Sequence, residues 1–351
     1  MDTSSSFYIG IDISKSWFDA SLMAVINYSK QPMHTERFDN TKAGLKKFNQ
    51  WLKKAKVAFN DQTLLVVENT GIYHRLLWQY CTDKKLPIHI GNAAHIKWSF
   101  GIARGKNDVI DSKRLCNYAY KESDTLKAMP PLQASLMELK DLMSSRRKLV
   151  KQRSGIRQHL GELKTSNAKS VQATIEKAHK SAIEGINNSI KIIEKRIKEI
   201  IKEDQIMKKN YQLLTTIPGI GHWTAVYLIC CTNNFNSRYS GKQLACYAGV
   251  APFEHSSGSS VKGRNRVHKM ANKELKSLLH MGAVSCIKNY TEFKQYYERK
   301  LREGKHKFTV LNAIKNKMAL RVAAVINNQK PYEERHPYES QAFRKNYLQK
   351  S

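Results

Sequence analysis

Four acids stand where a catalytic cluster could form. Asp12 and Glu68 each close a short apolar run, Phe7-Tyr8-Ile9-Gly10-Ile11-Asp12 and Leu64-Leu65-Val66-Val67-Glu68. A strand ending in an acid puts that carboxylate at the sheet edge rather than in the core. Asp108 and Asp111 are three residues apart, so a helix places them on one face. If the strands are neighbours and the helix packs on the sheet, four oxygen donors surround a small volume. Clustered carboxylates repel and are costly to bury unpaired. A divalent cation removes that cost. Mg²⁺ prefers oxygen ligands in octahedral array, and two such ions can stabilise the attacking and leaving oxygens of phosphodiester chemistry. Each acid alone is equally at home in a turn or at a helix N-terminus. The order, spacing and sheet context of the set carry the reading.

A serine offers a second chemistry. Ser256-Ser257-Gly258 lies in a Ser/Gly-rich stretch, expected to be an exposed loop over Ser256–Ser260, and a basic segment follows it from Lys262 to Lys276. A serine hydroxyl attacks phosphorus only when a base, cation or metal activates it, and most Ser/Gly stretches are plain loops. The candidate backbone-positioning groups are Arg104, Lys106, Lys113 and Arg114 around the acids, and Lys262, Arg264, Arg266 and Lys269 after the serine. Ile217-Pro218-Gly219-Ile220-Gly221 reads as the turn of a helix-hairpin-helix. Gly219 and Gly221 there would let backbone N–H groups approach a phosphate, and a plain helical hairpin is the alternative.

The elements that must position these groups follow from periodicity. Strands are predicted over 7–12, 18–26, 34–38, 64–68 and 86–90, and helices over 42–59, 73–81 and 108–120, which makes residues 1–130 a mixed α/β domain with a buried sheet. Met129-Pro130-Pro131 ends that pattern. Residues 131–210 carry Leu and Ile at helical spacing in two long helices, a coiled-coil hairpin with its turn near Thr165–Lys169. A bundle within one chain is the other arrangement this spacing allows. Residues 211–330 form a mainly helical third domain, and 331–351 a polar tail. The fold class is therefore α/β plus α.

The chain has 351 residues with 60 Lys plus Arg against 29 Asp plus Glu, a formal charge of +31. Residues 1–130 hold 19 basic and 12 acidic side chains, 131–210 hold 18 and 9, and 211–351 hold 23 and 8, so no single basic tail explains the excess. A globular composition with this charge points to a polyanion, nucleic acid before an anionic membrane. No apolar run is long enough to span a bilayer, and no signal-peptide core opens the chain. Six scattered cysteines without a C-x-x-C pair argue against a zinc knuckle and fit a reducing cytoplasm.

Together these residues resemble the DEDD-type insertion-sequence transposases, the IS110 group that includes the Piv invertase. The resemblance runs from about Tyr8 to about Tyr332. It is carried by Ile9-Gly10-Ile11-Asp12-Ile13-Ser14-Lys15, Val67-Glu68-Asn69-Thr70-Gly71-Ile72-Tyr73, Asn107-Asp108-Val109-Ile110-Asp111-Ser112-Lys113-Arg114, Ile217–Gly221, Tyr247-Ala248-Gly249-Val250-Ala251-Pro252 and Ser257-Gly258. It implies a RuvC-like (ribonuclease H-like) N-terminal domain in which Asp12, Glu68, Asp108 and Asp111 bind Mg²⁺ or Mn²⁺. It further implies a middle coiled coil and a C-terminal transposase domain with an essential serine. That serine precedes the glycine and so falls on Ser257, with Ser256 as the neighbouring alternative. The expected activity is cutting and rejoining donor and target DNA, with a serine–DNA link and the acidic domain of another subunit assisting. A structured noncoding RNA from the element would guide it. Dimers would join into a tetramer in the cytoplasm, at the nucleoid. Lys269-Met270-Ala271-Asn272 and Leu275-Lys276 depart from the group's Lys-Arg-Gly-Asn and Leu-Arg, which bears on DNA contacts. The rival readings are a metal-only nuclease such as a junction resolvase, and a non-catalytic nucleic-acid-binding protein.

Overall fold

The computed structural model describes residues 5–100, 107–165, 169–257, 261–267 and 271–333, and the chain divides into two compact units, Met1–Gln133 and Ala134–Ser351. Arg104, Lys106 and Lys269 lie outside the described residues, as does most of the polar tail.

The first unit holds strands β1 (Ser5–Ile13), β2 (Trp17–Ile26), β3 (Ser29–Lys30), β4 (His34–Asp39), β5 (Thr63–Glu68) and β6 (Ile88–Gly91). Its helices are α1 (Lys42–Lys54), α2 (Arg75–Lys84), α3 (Ala93–Ser99) and α4 (Asp108–Lys121). The sheet runs β3-β2-β1-β5-β6, with β4 also pairing with β2. β1, β2 and β4 are antiparallel, whereas β1, β5 and β6 are parallel. Because side chains alternate along a strand, Ile9, Ile11, Phe18, Ala20 and Leu22 share one face and are buried there. Phe18 and Phe38 meet Phe48 of α1 on that face, with ring centroids 5.4–5.5 Å apart. The opposite face receives α4. Val66, Leu115 and Ala119 pack there with Ile96 of α3. The helix predicted to reach Phe59 ends at Lys54, because Lys56 takes a left-handed φ of 55° and the chain turns back.

The second unit opens with two long helices, α5 (Ala134–Leu163) and α6 (Lys169–Glu203). Ion pairs Arg146–Glu194 at 2.7 Å and Arg196–Glu138 at 2.8 Å join them, above buried Leu139, Ile190 and Ile197. Then come α7 (Gln205–Thr215), α8 (His222–Cys231), α9 (Gly241–Tyr247), the strands β7 (Phe253–Ser257) and β8 (Val261–Arg266), α10 (Lys273–Asn289), α11 (Thr291–Arg302) and α12 (Lys307–Asn328). Starts are written locally. Asp204 caps α7, Ser240 and Gln243 form a capping box on α9, and Asn272 caps α10. Among the described residues no helix is long and apolar enough to cross a membrane.

Candidate active site

Strand register brings two of the four acids together, and α4 brings the other two. Asp12 lies two residues beyond Gly10 on β1, on the face that α4 covers. Glu68 ends β5 one step past the paired residues Ile11 and Val67, on the same face as buried Val66. Directly across from Asp12 on β2 is Asp19, and across from Asp19 on β4 is Arg37. A row Arg37–Asp19–Asp12–Glu68 thus crosses four adjacent strands on one face.

Helix α4 reaches this row because Gly10 has no side chain. A Cβ at Gly10 would overlap the backbone of Ser112, Leu115 and Cys116. The helix is also tied to the strands by polar contacts. The Ser112 hydroxyl shares a 2.8 Å hydrogen bond with that of Ser21, and the Cys116 thiol donates to the Tyr8 carbonyl at 3.1 Å. Asn107 starts the helix, its side chain accepting from the Ile110 N–H at 2.7 Å. Asp108 and Asp111 then fall in the first turn, where the helix dipole favours negative charge.

Asp12 reports the crowding. Its carboxyl is pushed up to about 6, first by burial and then by the charges of Asp108, Asp111, Glu68 and Asp19. The outer acids are paired with cations. Arg114 Nη1 donates to Asp111 Oδ1 at 2.9 Å. Arg37 Nε and Nη2 donate to the two oxygens of Asp19 at 3.0 and 2.8 Å, and Nη2 also reaches Asp108 Oδ2 at 3.4 Å. Trp17 Nε1 donates to that same oxygen at 3.4 Å. Asp19 is 2% exposed. Neither Asp19 nor Arg37 was expected from the sequence. An acid inside the apolar run Phe18-Asp19-Ala20-Ser21-Leu22 was the available signal, since a buried carboxylate in a central strand demands a cation beside it.

The donor set consists of hard carboxylate oxygens, which suits Mg²⁺ or Mn²⁺. Among the described residues, however, no three Asp, Glu, His or Cys side chains stand close enough to chelate one ion. Asp108 and Asp111 face Arg37 and Arg114 instead.

In the second unit the expected serine loop is partly strand. Ser256 and Ser257 end β7, opposite Lys262 and Val261 of β8, so backbone pairing extends two residues further than the Ser/Gly composition suggested. Lys262, Arg264 and Arg266 all lie on β8. The hairpin is anchored at its root, where the Asn272 N–H donates to the Tyr247 carbonyl at 2.8 Å and the Asn272 side chain bonds the hydroxyls of Tyr227 and Tyr247. The two glycines of the α7–α8 turn differ. Gly219 has φ of 81°, and a Cβ there would overlap Cys286, Gly282 and Met318. Gly221 is exposed at the N-cap of α8 with open space beside it. Lys113 is exposed, whereas Arg114 is committed to Asp111.

A mixed sheet with an acidic end, followed by a basic and mainly helical unit, suits a protein that meets a polyanion. The comparisons narrow the class. Residues 9–163 match the family model DEDD_Tnp_IS110, described as a transposase, and residues 211–298 match the one described as "Transposase IS116/IS110/IS902 family". The pilin gene-inverting protein of Moraxella bovis is 30% identical over 336 residues, covering 94% of this chain and 99% of that protein. That of Moraxella lacunata is 29% identical over the same length. The transposase of insertion sequence IS1111A from Coxiella burnetii is 22% identical, over 70% of this chain and 73% of its own. The chain belongs to the IS110 family of transposases. It is a DNA transposase or recombinase, and DNA is its substrate.

Proposed function

We propose that this transposase cuts and rejoins DNA with two sets of groups, the acids of a ribonuclease H-like (RuvC-like) first unit and Ser257 of the second. The observation that carries the reading is the electrostatic crowding at Asp12, which feels the charges of Asp108, Asp111 and Glu68 on the face where α4 packs against Gly10. Three antiparallel strands continued by two parallel ones, with a helix across the first, support the ribonuclease H-like assignment.

Asp12, Glu68, Asp108 and Asp111 would hold Mg²⁺ or Mn²⁺, which when bound polarises phosphate oxygens and stabilises the charge that develops on them. Ser257 Oγ attacks the scissile phosphorus and its proton passes to a base. The new serine–phosphate ester forms as the bond to the leaving sugar oxygen breaks. A sugar hydroxyl of the second DNA then attacks that ester and releases the serine. One ester is exchanged for another at each step, so no energy source is needed. Arg104, Lys106 and Lys113, with Lys262, Arg264, Arg266 and Lys269, are assigned to DNA or RNA backbones, and Arg114 joins them only where it parts from Asp111. Gly221, open at a helix N-terminus in a helix-hairpin-helix turn, suits a phosphate. Gly219 shares that turn.

The departures noted after the serine bear on DNA contacts more than on this chemistry. Guidance by a structured RNA of the element, a dimer of the coiled-coil type that joins into a tetramer, and supply of the acids from another subunit belong to the same proposal. They rest on the family resemblance. The inversion named for the Moraxella proteins is also strand exchange between two DNA sites, which fits a cut-and-rejoin enzyme.

Trapping the covalent adduct tests the serine. Wild type should form a protein–DNA adduct on a junction substrate, and Ser257→Ala should lose it while still binding DNA. An undiminished adduct in Ser257→Ala together with its loss in Ser256→Ala would move the nucleophile by one residue. A metal-only nuclease would give no adduct in any variant.

A further inference from the structure

Asp19, Arg37 and Trp17 belong to no motif, yet Arg37 and Trp17 meet at one atom of the acidic centre, Asp108 Oδ2, and Asp19 anchors Arg37. Asp19 is fully buried and opposite Asp12. A buried carboxylate is stable only when paired, and breaking such a pair is strongly destabilising. Arg37 meets this need with a two-point fork, at 3.0 and 2.8 Å, the geometry in which a guanidinium binds a carboxylate best. The fork fixes the guanidinium plane, and the same Nη2 then reaches Asp108 Oδ2 at 3.4 Å. Trp17 Nε1 points to the same oxygen, also at 3.4 Å, and its ring lies 5.1 Å from the Arg37 guanidinium carbon. At 3.4 Å each contact to Asp108 is long and individually weak. What they share is direction. Both contact Oδ2, so together they bias the way the carboxylate is turned.

We propose that Trp17 and Arg37, the latter anchored by Asp19, are positioning residues that orient the Asp108 carboxylate for metal binding. The inference rests on the metal-binding reading above and adds to it a specific supporting shell. Partners of this kind raise metal affinity by holding a ligand in its binding orientation, and their removal typically costs roughly 10–100-fold. A lysine cannot replace Arg37, because one ammonium cannot hold both Asp19 oxygens and still reach Asp108 in a fixed plane.

Mn²⁺ titration of the full chain, followed by the paramagnetic signal of the free ion, tests the clamp. Trp17→Phe keeps the ring at a 39% exposed position and removes only the N–H donor. It should weaken Mn²⁺ binding roughly tenfold with an unchanged melting temperature, which a purely structural role for Trp17 would not produce. Arg37→Lys should weaken it as well. Arg37→Gln strands Asp19, so the double variant Arg37→Gln/Asp19→Asn removes the buried charge along with its partner. It should fold and still bind Mn²⁺ weakly. Affinities within about twofold of wild type in Trp17→Phe and the double variant, or tighter binding in either, would overturn the clamp. Asp108→Asn separates the two readings. Weak binding in Asp108→Asn with normal binding in the clamp variants sinks the clamp alone. Equal binding by wild type and Asp108→Asn removes the metal reading and the clamp with it.

Discussion

At Asp12, burial and four neighbouring carboxylates raise the affinity for a proton to a pKa of about 6, against about 3.9 for a free aspartate. Between those values the folded protein binds more protons than the unfolded chain, so stability falls as pH rises through this window. Above pH 6 the full cost is present. Asp12→Asn removes the charge, and is therefore expected to melt higher than wild type at pH 7–8. The advantage should shrink toward pH 4, where wild type is also uncharged, and transposition should be lost throughout. Thermal melts of both proteins from pH 4 to 8 check this; a variant that melts lower than wild type at pH 8 contradicts it. The placement of the four acids was legible in the sequence, because Asp12 and Glu68 close apolar runs and Asp108 and Asp111 open a helix. Asp19 and Arg37 were not, because their partnership is made across strands. It depends on the Asp19–Arg37 register of β2 and β4, and residues eighteen apart in sequence show no pattern that fixes such a register.

In the first unit the five main strands and the helices α1, α2 and α4 were readable from hydrophobic alternation and helical spacing, whereas the short β3 and α3 were not. The misreadings have local causes. The overlong α1 came from Ala55 and Phe59 continuing the apolar spacing, while the chain had already turned at Lys56. The serine segment looked like loop from its Ser and Gly content, yet pairing with the alternating basic strand β8 extends β7 through Ser257. Close backbone approach, which spacing does not encode, is where two glycines matter. Gly10→Ala should push α4 from β1, at a cost of about 1–3 kcal/mol for overpacking. It should also reduce activity further than the stability loss explains, because Asp108 and Asp111 ride on that helix. Gly219→Ala meets both a left-handed φ and the backbone of Gly282, so it should destabilise the second unit by a similar amount or more. Gly221→Ala faces open space, so its cost should be limited to a poorer N-cap, about 1 kcal/mol or less. Denaturant melts of the three variants rank these costs, and a Gly219→Ala protein as stable as Gly221→Ala would refute the packing role.

On the scale of the whole molecule, the formal charge of +31 bears on what the enzyme holds rather than on how it folds. Among the described residues near the acids, Arg37 and Arg114 already neutralise carboxylates. In α5 and α6, Arg146 and Arg196 pair with Glu194 and Glu138. Cations so committed contribute less to phosphate binding than their number suggests. What remains free to meet phosphate is spread over both units, including exposed Lys113. Binding to phosphate releases condensed counterions, one set for each contact, so affinity must fall with salt in proportion to the number of contacts made. Extended DNA engaging six to ten such cations should lose roughly 10³–10⁵-fold in affinity between 50 and 200 mM salt. The slope also discriminates among partners. Neutralising Lys113 by Lys113→Gln should lower the slope of log affinity against log salt by about one for the ligand whose backbone crosses the acidic face, and leave it unchanged for a ligand held elsewhere. Running that titration in parallel with DNA and with RNA copurified from cells assigns each to its surface. Affinity for both that is flat in salt would mean that the charge excess serves some purpose other than phosphate.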